Sequence, residues 1–105
     1  MNKKDEKVRI NLAQLKMQDI DGSYKPIDVM DEIARLIYMG SEMKHKELGM
    51  RMYNAGRTNG QLSDNPNDRE MEISQSDVEL IMEQVPKFPY VIREAMYKAL
   101  GIDEK

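Results

Sequence analysis

The chain has 105 residues, the size of a single domain, of which 40% are hydrophobic and 33% charged, with a formal net charge of −3. This acidic balance argues against a partner held mainly through phosphate contacts, because such proteins usually carry a basic excess. The absence of cysteine excludes a disulfide framework and any thiolate nucleophile or thiolate metal site.

The sequence contains no membrane or export signal that we recognise. No apolar run approaches the roughly 20 residues that a membrane helix needs. The charged residues at the start are not followed by the apolar stretch of a signal peptide. We therefore expect a cytoplasmic protein with no membrane partner.

In chain order, residues 1–7 alternate in charge and are predicted to be a disordered tail ahead of one domain that spans residues 8–102. Residues 8–12 alternate between apolar and polar side chains, which predicts a half-buried strand. Residues 19–23 have turn chemistry around Gly22, and Pro26, which cannot donate to a strand ladder, lies just ahead of a helix.

Residues 28–56 carry most of the apolar mass of the first half and predict two helices. Asp28 is the expected N-cap of the first helix and Gly40 its end, while Ser41 is the expected cap of the second, which ends at Gly56. Such a short joint predicts a helical hairpin or a sharp corner. One continuous helix that is kinked at Gly40 is the alternative.

Residues 57–70 are rich in Asn, Gly, Asp and Pro and have only Leu62 as an apolar anchor, so we predict a mobile loop. Residues 71–73 are a possible short strand, and their natural partner is the strand at residues 8–12.

Two further helices are predicted in the last third. Ser74 or Ser76 opens the third helix with a capping box, and Pro86 stops it. Pro89 is well placed to begin the fourth helix, which Gly101 closes. The predicted fold class is mainly α (α+β), with about four helices and a minor two-stranded β-ribbon.

Ten methionines accompany one phenylalanine and no tryptophan. Methionine is flexible and fills irregular gaps, so the interpretation we favour is an adaptable core, because several methionines recur at helical core spacing. These are Met30, Met52, Met82 and Met96. The other interpretation is a methionine-rich docking surface. An exposed cluster drawn from the remaining candidates would favour it, and these are Met17, Met39, Met43, Met50 and Met71.

His45 is the only histidine, and Glu42 precedes it at the Glu-x-x-His spacing. A carboxylate-bridged di-metal site needs this motif on two helices, and a zinc site built from His and Cys needs further ligands. No Gly-x-Ser-x-Gly elbow is present for a Ser-His-Asp triad. We therefore assign no catalytic, cofactor-binding or metal-binding residue and predict that the protein is not an enzyme and needs no cofactor.

Two acidic segments resemble parts of a calcium loop. Around residues 19–22, however, Met17 and Asp28 occupy the first and last ligand positions, and in residues 64–68 the glycine position falls on Arg69. We interpret both segments as turns.

The two helices around Gly40 also suggest a helix-turn-helix. The second helix carries Lys44, Lys46 and Arg51, but Glu42 and Glu47 lie among them. Mixed charge on a solvated helix face explains these residues without a nucleic-acid partner.

Phe88 and Tyr90 flank Pro89 at the expected start of the fourth helix. Exposed aromatic side chains there would anchor a protein partner. The alternative is that they cover the rim of the core.

A series of short motifs runs through most of the chain from about residue 8. They are Ile10-Asn11-Leu12, Asp21-Gly22, Asp28-Val29, residues 51–56, residues 73–81 and Ala99-Leu100. In this order they resemble a family of small proteins encoded in bacteriophages and prophages, with a short strand, an Asp-Gly turn and a helical body. The resemblance implies a mobile-element origin and an unknown role. It implies no site residue, because the family has no catalytic signature.

Our prediction for function is a non-enzymatic protein–protein interaction module, an accessory protein of a phage or mobile element. Its partner would be a host protein or a second copy of the chain. The alternative is a small DNA-binding transcriptional regulator of the helix-turn-helix type.

Overall fold

The computed structural model of the protein describes residues 7–102, and about half of these are helical. The helices are α1 (Met30–Tyr38), α2 (Met43–Asn54), α3 (Gln75–Gln84) and α4 (Tyr90–Leu100). The strands are β1 (Lys7–Ile10), β2 (Leu15–Gln18), β3 (Tyr24–Ile27), β4 (Arg57–Thr58), β5 (Gln61–Leu62) and β6 (Met71–Ser74). They form three antiparallel pairs, β1–β6, β2–β3 and β4–β5. The predicted class, mainly α within α+β, is confirmed, and the strands rule out an all-α description.

The predicted ribbon between residues 8–12 and 71–73 is confirmed as the pair β1–β6, in which Val8 lies opposite Ile73. Ile10 and Ile73 are both buried and join this ribbon to the core. The strand begins at Lys7, which the sequence had placed in the disordered tail, and the rest of that tail lies outside the described residues.

The hairpin β2–β3 was not predicted. Gly22 turns the chain with a φ of +87°, and its N–H donates to the Asp19 carbonyl at 2.9 Å. Pro26 lies within β3, opposite Lys16. A proline is tolerated there because β3 is an edge strand, where one missing donor does not interrupt a larger ladder.

α1 and α2 are two separate helices, and they pack against each other more extensively than any other pair of helices. The helices run antiparallel, because Gly40 meets His45 at one end while Ala34 and Tyr38 meet Gly49 further along. A Cβ atom at Gly49 would lie 2.7 Å from the Ala34 carbonyl oxygen, so this glycine is what allows the close approach.

The predicted caps of these helices are partly wrong. Asp28 does accept a hydrogen bond from the Met30 N–H at 3.0 Å, but Val29 occupies the cap position of α1. Glu42, and not Ser41, occupies the cap position of α2. The ring of His45 accepts the Glu42 N–H at 3.3 Å, and the Glu42 side chain accepts from the His45 N–H, so the two residues cap the start of α2 reciprocally.

α3 opens with the predicted capping box, in which Ser74 Oγ accepts from the Asp77 N–H and the Asp77 carboxylate accepts from the Ser74 N–H, both at 3.1 Å. A 3-10 turn, Val85–Lys87, follows α3, and Pro89 occupies the cap position of α4. Gly101 ends α4 in the left-handed conformation, and the Ile102 N–H donates to the Tyr97 carbonyl at 2.9 Å.

Residues 57–70 contain the hairpin β4–β5 and a 3-10 turn, Pro66–Arg69. Leu62 is not the anchor that the sequence suggested, because it is 41% exposed. The anchor is Arg69, which is only 1% exposed. The mobility of this segment stays a prediction.

The core draws on all four helices and on the ribbon. Met30, Met52 and Met96 are fully buried in it, as predicted, whereas Met82 is only half-buried. No helix within residues 7–102 is long and apolar enough to cross a membrane.

Candidate functional site

Three methionines and a tyrosine are exposed together on the outer side of the α1–α2 hairpin. The exposed fractions are 45% for Tyr38, 79% for Met39, 74% for Met43 and 46% for Met50. These three methionines belong to the group that the sequence left open between core and surface, and they are not core residues. They form the exposed cluster that would indicate a docking surface.

This surface is grooved. Two depressions of about 210 and 420 Å³ meet at Tyr38, and we call the pair the α1–α2 groove. The first is lined by Ala34, Arg35, Tyr38, Gly49, Met50, Tyr53 and Asn54. The second is lined by Tyr38, Gly40, Ser41, Glu42, Met43 and Lys46.

The depth of the first depression follows from two small residues. Ala34 and Gly49 lie at the crossing of the helices, where side chains on neighbouring turns are much larger. Tyr38, Met50 and Tyr53 therefore stand as walls around a low floor. Flexible methionine walls can adjust to differently shaped apolar side chains.

The rim of the groove is cationic. Arg35 and Lys46 line it, and neither forms an ion pair with another of residues 7–102. The Arg35 guanidinium lies 5.3 Å from the centroid of the Tyr53 ring. The acidic residue in the lining, Glu42, already lies 3.9 Å from Lys44 Nζ.

A buried ionic cluster supports one end of the groove. Arg69 donates to Asp31 Oδ1 at 2.9 Å and to the carbonyls of Met52, Tyr53 and Ala55 at 3.0, 2.9 and 2.8 Å. These carbonyls lie at the C-terminal end of α2, where a helix has fewer backbone donors than acceptors. Arg69 thus caps α2 and ties it to the first turn of α1, with each charge at the helix end that favours it.

Arg57 completes this cluster. It donates to both oxygens of Asp31, at 3.1 and 3.0 Å, and also to the Tyr53 carbonyl. The hydrogen bond from Arg57, together with Arg69, lowers the pKa of Asp31 although burial opposes this. Asp31 in turn raises the pKa of Arg57. Because the Arg57 guanidinium also lies 3.7 Å from the Tyr53 ring centroid, the cluster orients a wall of the groove.

The contacts of His45 connect elements of the fold. It is buried, its Nδ1 accepts from the Glu42 N–H, and its Nε2 lies 3.3 Å from Glu83 Oε1. The neutral ring therefore carries its proton on Nε2 and links the start of α2 to α3. In the described part of the chain, no group of three or more His, Cys, Asp or Glu side chains is arranged to hold a metal ion.

The carboxylates of both acidic segments form hydrogen bonds and an ion pair within turns. Asp19 lies 2.5 Å from Lys25 Nζ and accepts from the Ile20 N–H, while Asp21 accepts from the Ser23 hydroxyl at 2.6 Å and from the Ser23 N–H at 2.9 Å. These bonds lower the pKa of both carboxyls. In the second segment Asp68 accepts from the Ser63 hydroxyl.

The basic residues proposed for DNA recognition do not form a continuous row. Arg51 is paired with Asp77 at 2.7 Å, and Lys44 lies beside Glu42. The aromatic pair at the start of α4 is divided, because Phe88 is buried in the core while Tyr90 is exposed.

Sequence reasoning missed the groove because Ala34 and Gly49 carry no functional groups. The usable signal was the outward position of Met43 and Met50, seven residues apart on one helix face. Comparisons with protein-family models, with curated proteins and with solved structures found no match. The resemblance to a bacteriophage family therefore stays a prediction.

Proposed function

We propose that the protein is a non-enzymatic protein-binding module and that the α1–α2 groove is its binding surface. The observation that carries the proposal is the exposure of Tyr38, Met43 and Met50 around one groove. Contiguous apolar surface of this kind marks interaction sites, and aromatic and methionine side chains are enriched in them.

The frame of the groove also fits a docking role. The close contact at Gly49 fixes the distance between its two walls, and the cluster of Asp31, Arg57 and Arg69 fixes one end. A rigid frame with flexible side chains reduces the ordering cost of binding while it retains the ability to adapt.

DNA binding is supported less well. It would need several cations that are free to meet phosphates, and Arg51 and Lys44 are engaged with Asp77 and Glu42. Arg35 and Lys46 remain, but apolar side chains lie between them, and a phosphate backbone gains nothing from these.

The test compares two surface variants of the full chain as bait for proteins of the organism that carries it. In Met50→Glu, a charge replaces an apolar wall of the groove. In Ile20→Glu, the same charge replaces a fully exposed residue of the β2–β3 turn, outside the groove. We expect a protein captured by the wild type to be retained by Ile20→Glu and lost by Met50→Glu. Equal capture by all three proteins would contradict the proposal.

A further inference from the structure

We infer that the α1–α2 groove takes a short amphipathic helix with acidic residues beside its apolar stripe. The inference rests on the proposed protein-binding function and names the class of partner. Three properties of the groove carry it: what its walls are made of, how long they are, and which charges line the rim.

The walls favour a helix over an extended peptide. An extended peptide leaves its backbone N–H and C=O groups to be satisfied by the receptor, usually at a sheet edge. The groove is lined by residues of α1, α2 and their joint, so it presents no sheet edge. A helix satisfies its own backbone and needs only an apolar floor.

The length of the groove sets the size of the partner. α1 has 9 residues and α2 has 12, so the walls extend for about 13 to 18 Å. This length matches about three turns of a docked helix. The two depressions on either side of Tyr38 suit two apolar anchors on the same face, one or two turns apart.

The charges along the rim of the groove determine which charge is favoured on the partner helix. Arg35 lines one depression, and Lys46 lines the other together with Glu42, which lies 3.9 Å from Lys44 Nζ. Neither Arg35 nor Lys46 has an ion-pair partner in the described chain, so cations outnumber carboxylates along the rim. Acidic side chains that flank the apolar stripe of the partner would meet both cations. A second copy that used the same surface in a two-fold contact would present Arg35 and Lys46 again, with Glu42 as the one acidic side chain of the lining, so it would complement the rim less well than an acidic helix does.

The experiment titrates the full chain, labelled with carbon-13 at its methionine methyl groups, with designed peptides. The probe is a helix of about 14 residues that carries leucine at one face and glutamate beside it. A matched peptide has lysine in place of glutamate, and a third has the composition of the first with its leucines scattered around the helix. We expect the acidic peptide to shift the methyl signals of Met43 and Met50, which line the groove. The signals expected to stay in place are those of Met30, Met52 and Met96.

The charge preference is tested by reversing the charges of the groove and, separately, those of the peptide. Arg35→Glu/Lys46→Glu changes only exposed side chains. This variant should bind the acidic peptide with roughly tenfold lower affinity and the lysine peptide with an affinity higher by a similar factor. Added salt should reduce both changes in affinity. The scattered peptide should bind neither protein.

The outcomes are distinguishable from those of the capture experiment. Equal affinity for the acidic and lysine peptides would overturn the charge selectivity, and the absence of any methyl shift would overturn the helical partner. A molar mass of two chains by light scattering, with the groove methyl signals changing on dilution, would make the occupant a second copy and overturn the inference. With any of these three outcomes, loss of capture by Met50→Glu would still support the proposed protein-binding function.

Discussion

Arg69 is the residue on which the loop and the first two helices converge. It lies in a polar segment, yet it is buried and makes all of its hydrogen bonds to Asp31 and to carbonyls at the end of α2. A buried charge is stable only when it is paired and fully hydrogen-bonded, and here the fold supplies both. The residue therefore fixes both the loop and one end of the groove.

Replacing Arg69 tests this role. Arg69→Met keeps much of the volume but removes hydrogen bonds to three carbonyls at the end of α2 and weakens the pairing of Asp31. We therefore expect the free energy of unfolding to fall by about 3 kcal/mol. Urea denaturation measures it. The matched control is Arg9→Met, because Arg9 also pairs with a carboxylate, that of Glu70, but is largely exposed, and exposed pairs contribute little to stability. Equal losses in the two variants would refute the role of Arg69.

Oxidation gives a second test at the scale of single residues. Peroxide converts exposed methionine to the sulfoxide and reaches buried methionine slowly. Met39 and Met43 should therefore react first and Met50 next, which peptide mapping by mass spectrometry measures. Protection is expected for the three fully buried methionines, which are Met30, Met52 and Met96. Oxidation of the protected group at the rate of Met43 would contradict the described burial.

The role of Arg69 was not predictable from the sequence alone. Arginine is mostly exposed, so a polar loop with one leucine indicates Leu62 as the anchor. Arg69 can be buried because carbonyls at the end of α2 accept its hydrogen bonds. Sequence periodicity gives no information about such contacts between elements. Met30, Met52 and Met96, in contrast, follow the helical period and were predicted to be core residues.

At the scale of elements, the spacing between α1 and α2 depends on Gly49. Glycine inside a helix is unfavourable relative to alanine by about 1 kcal/mol, so its presence needs a compensating contact. That contact is the approach to the Ala34 carbonyl and Tyr38. The same approach produces the floor of the groove, so the packing of the two helices and the shape of the surface have one cause.

Gly49→Ala should therefore destabilise the protein, although alanine is the better helix former. Overpacking costs about 1–3 kcal/mol and outweighs the gain in helix propensity, and we expect a net loss near 1–2 kcal/mol by urea denaturation. Met50→Ala, at the next and exposed position, should change stability by about 0.5 kcal/mol or less. A stabilised Gly49→Ala protein would show that the helices do not approach closely.

Most of the helix ends had a clear local signal and were predicted, whereas two of the three strand pairs were missed. The capping box at Ser74 and the left-handed Gly101 are local, so the ends of α3 and α4 could be located. The pairing of β1 with β6 was predicted because each segment had one obvious partner.

The hairpin β4–β5 was missed although Asn59-Gly60, with φ values of +52° and +81°, is the dipeptide that favours a type I′ turn. The hairpin β2–β3 was missed because Pro26 argues against a strand and only its edge position permits it.

For the whole molecule, two carboxylates with lowered pKa values link distant elements and predict how stability depends on pH. Arg57 lowers the pKa of Asp31. For Asp77, burial acts to raise the pKa, but hydrogen bonds from Arg51 and the Ser74 N–H outweigh it, so the pKa is lowered. The stabilisation from both groups is fully present above the unfolded pKa of about 3.9 and is lost as pH falls through the lower folded values.

We therefore expect stability to decrease below about pH 4. Asp31→Asn should be less stable than the wild type at neutral pH and should show a shallower decrease in acid, because asparagine does not titrate. Thermal unfolding followed by circular dichroism from pH 7 to pH 2 measures both curves. Parallel curves for the two proteins would mean that Asp31 does not contribute to the acid sensitivity.

For the molecule as a whole, we propose that the α1–α2 groove is the surface that binds a protein partner. The most direct measurement is site-specific photo-crosslinking in the cells that carry the protein, with a photoreactive side chain at position 50 and, separately, at position 20. We expect a discrete protein adduct from position 50 and none from position 20. Adducts of equal yield from both positions, or none from position 50, would contradict the account.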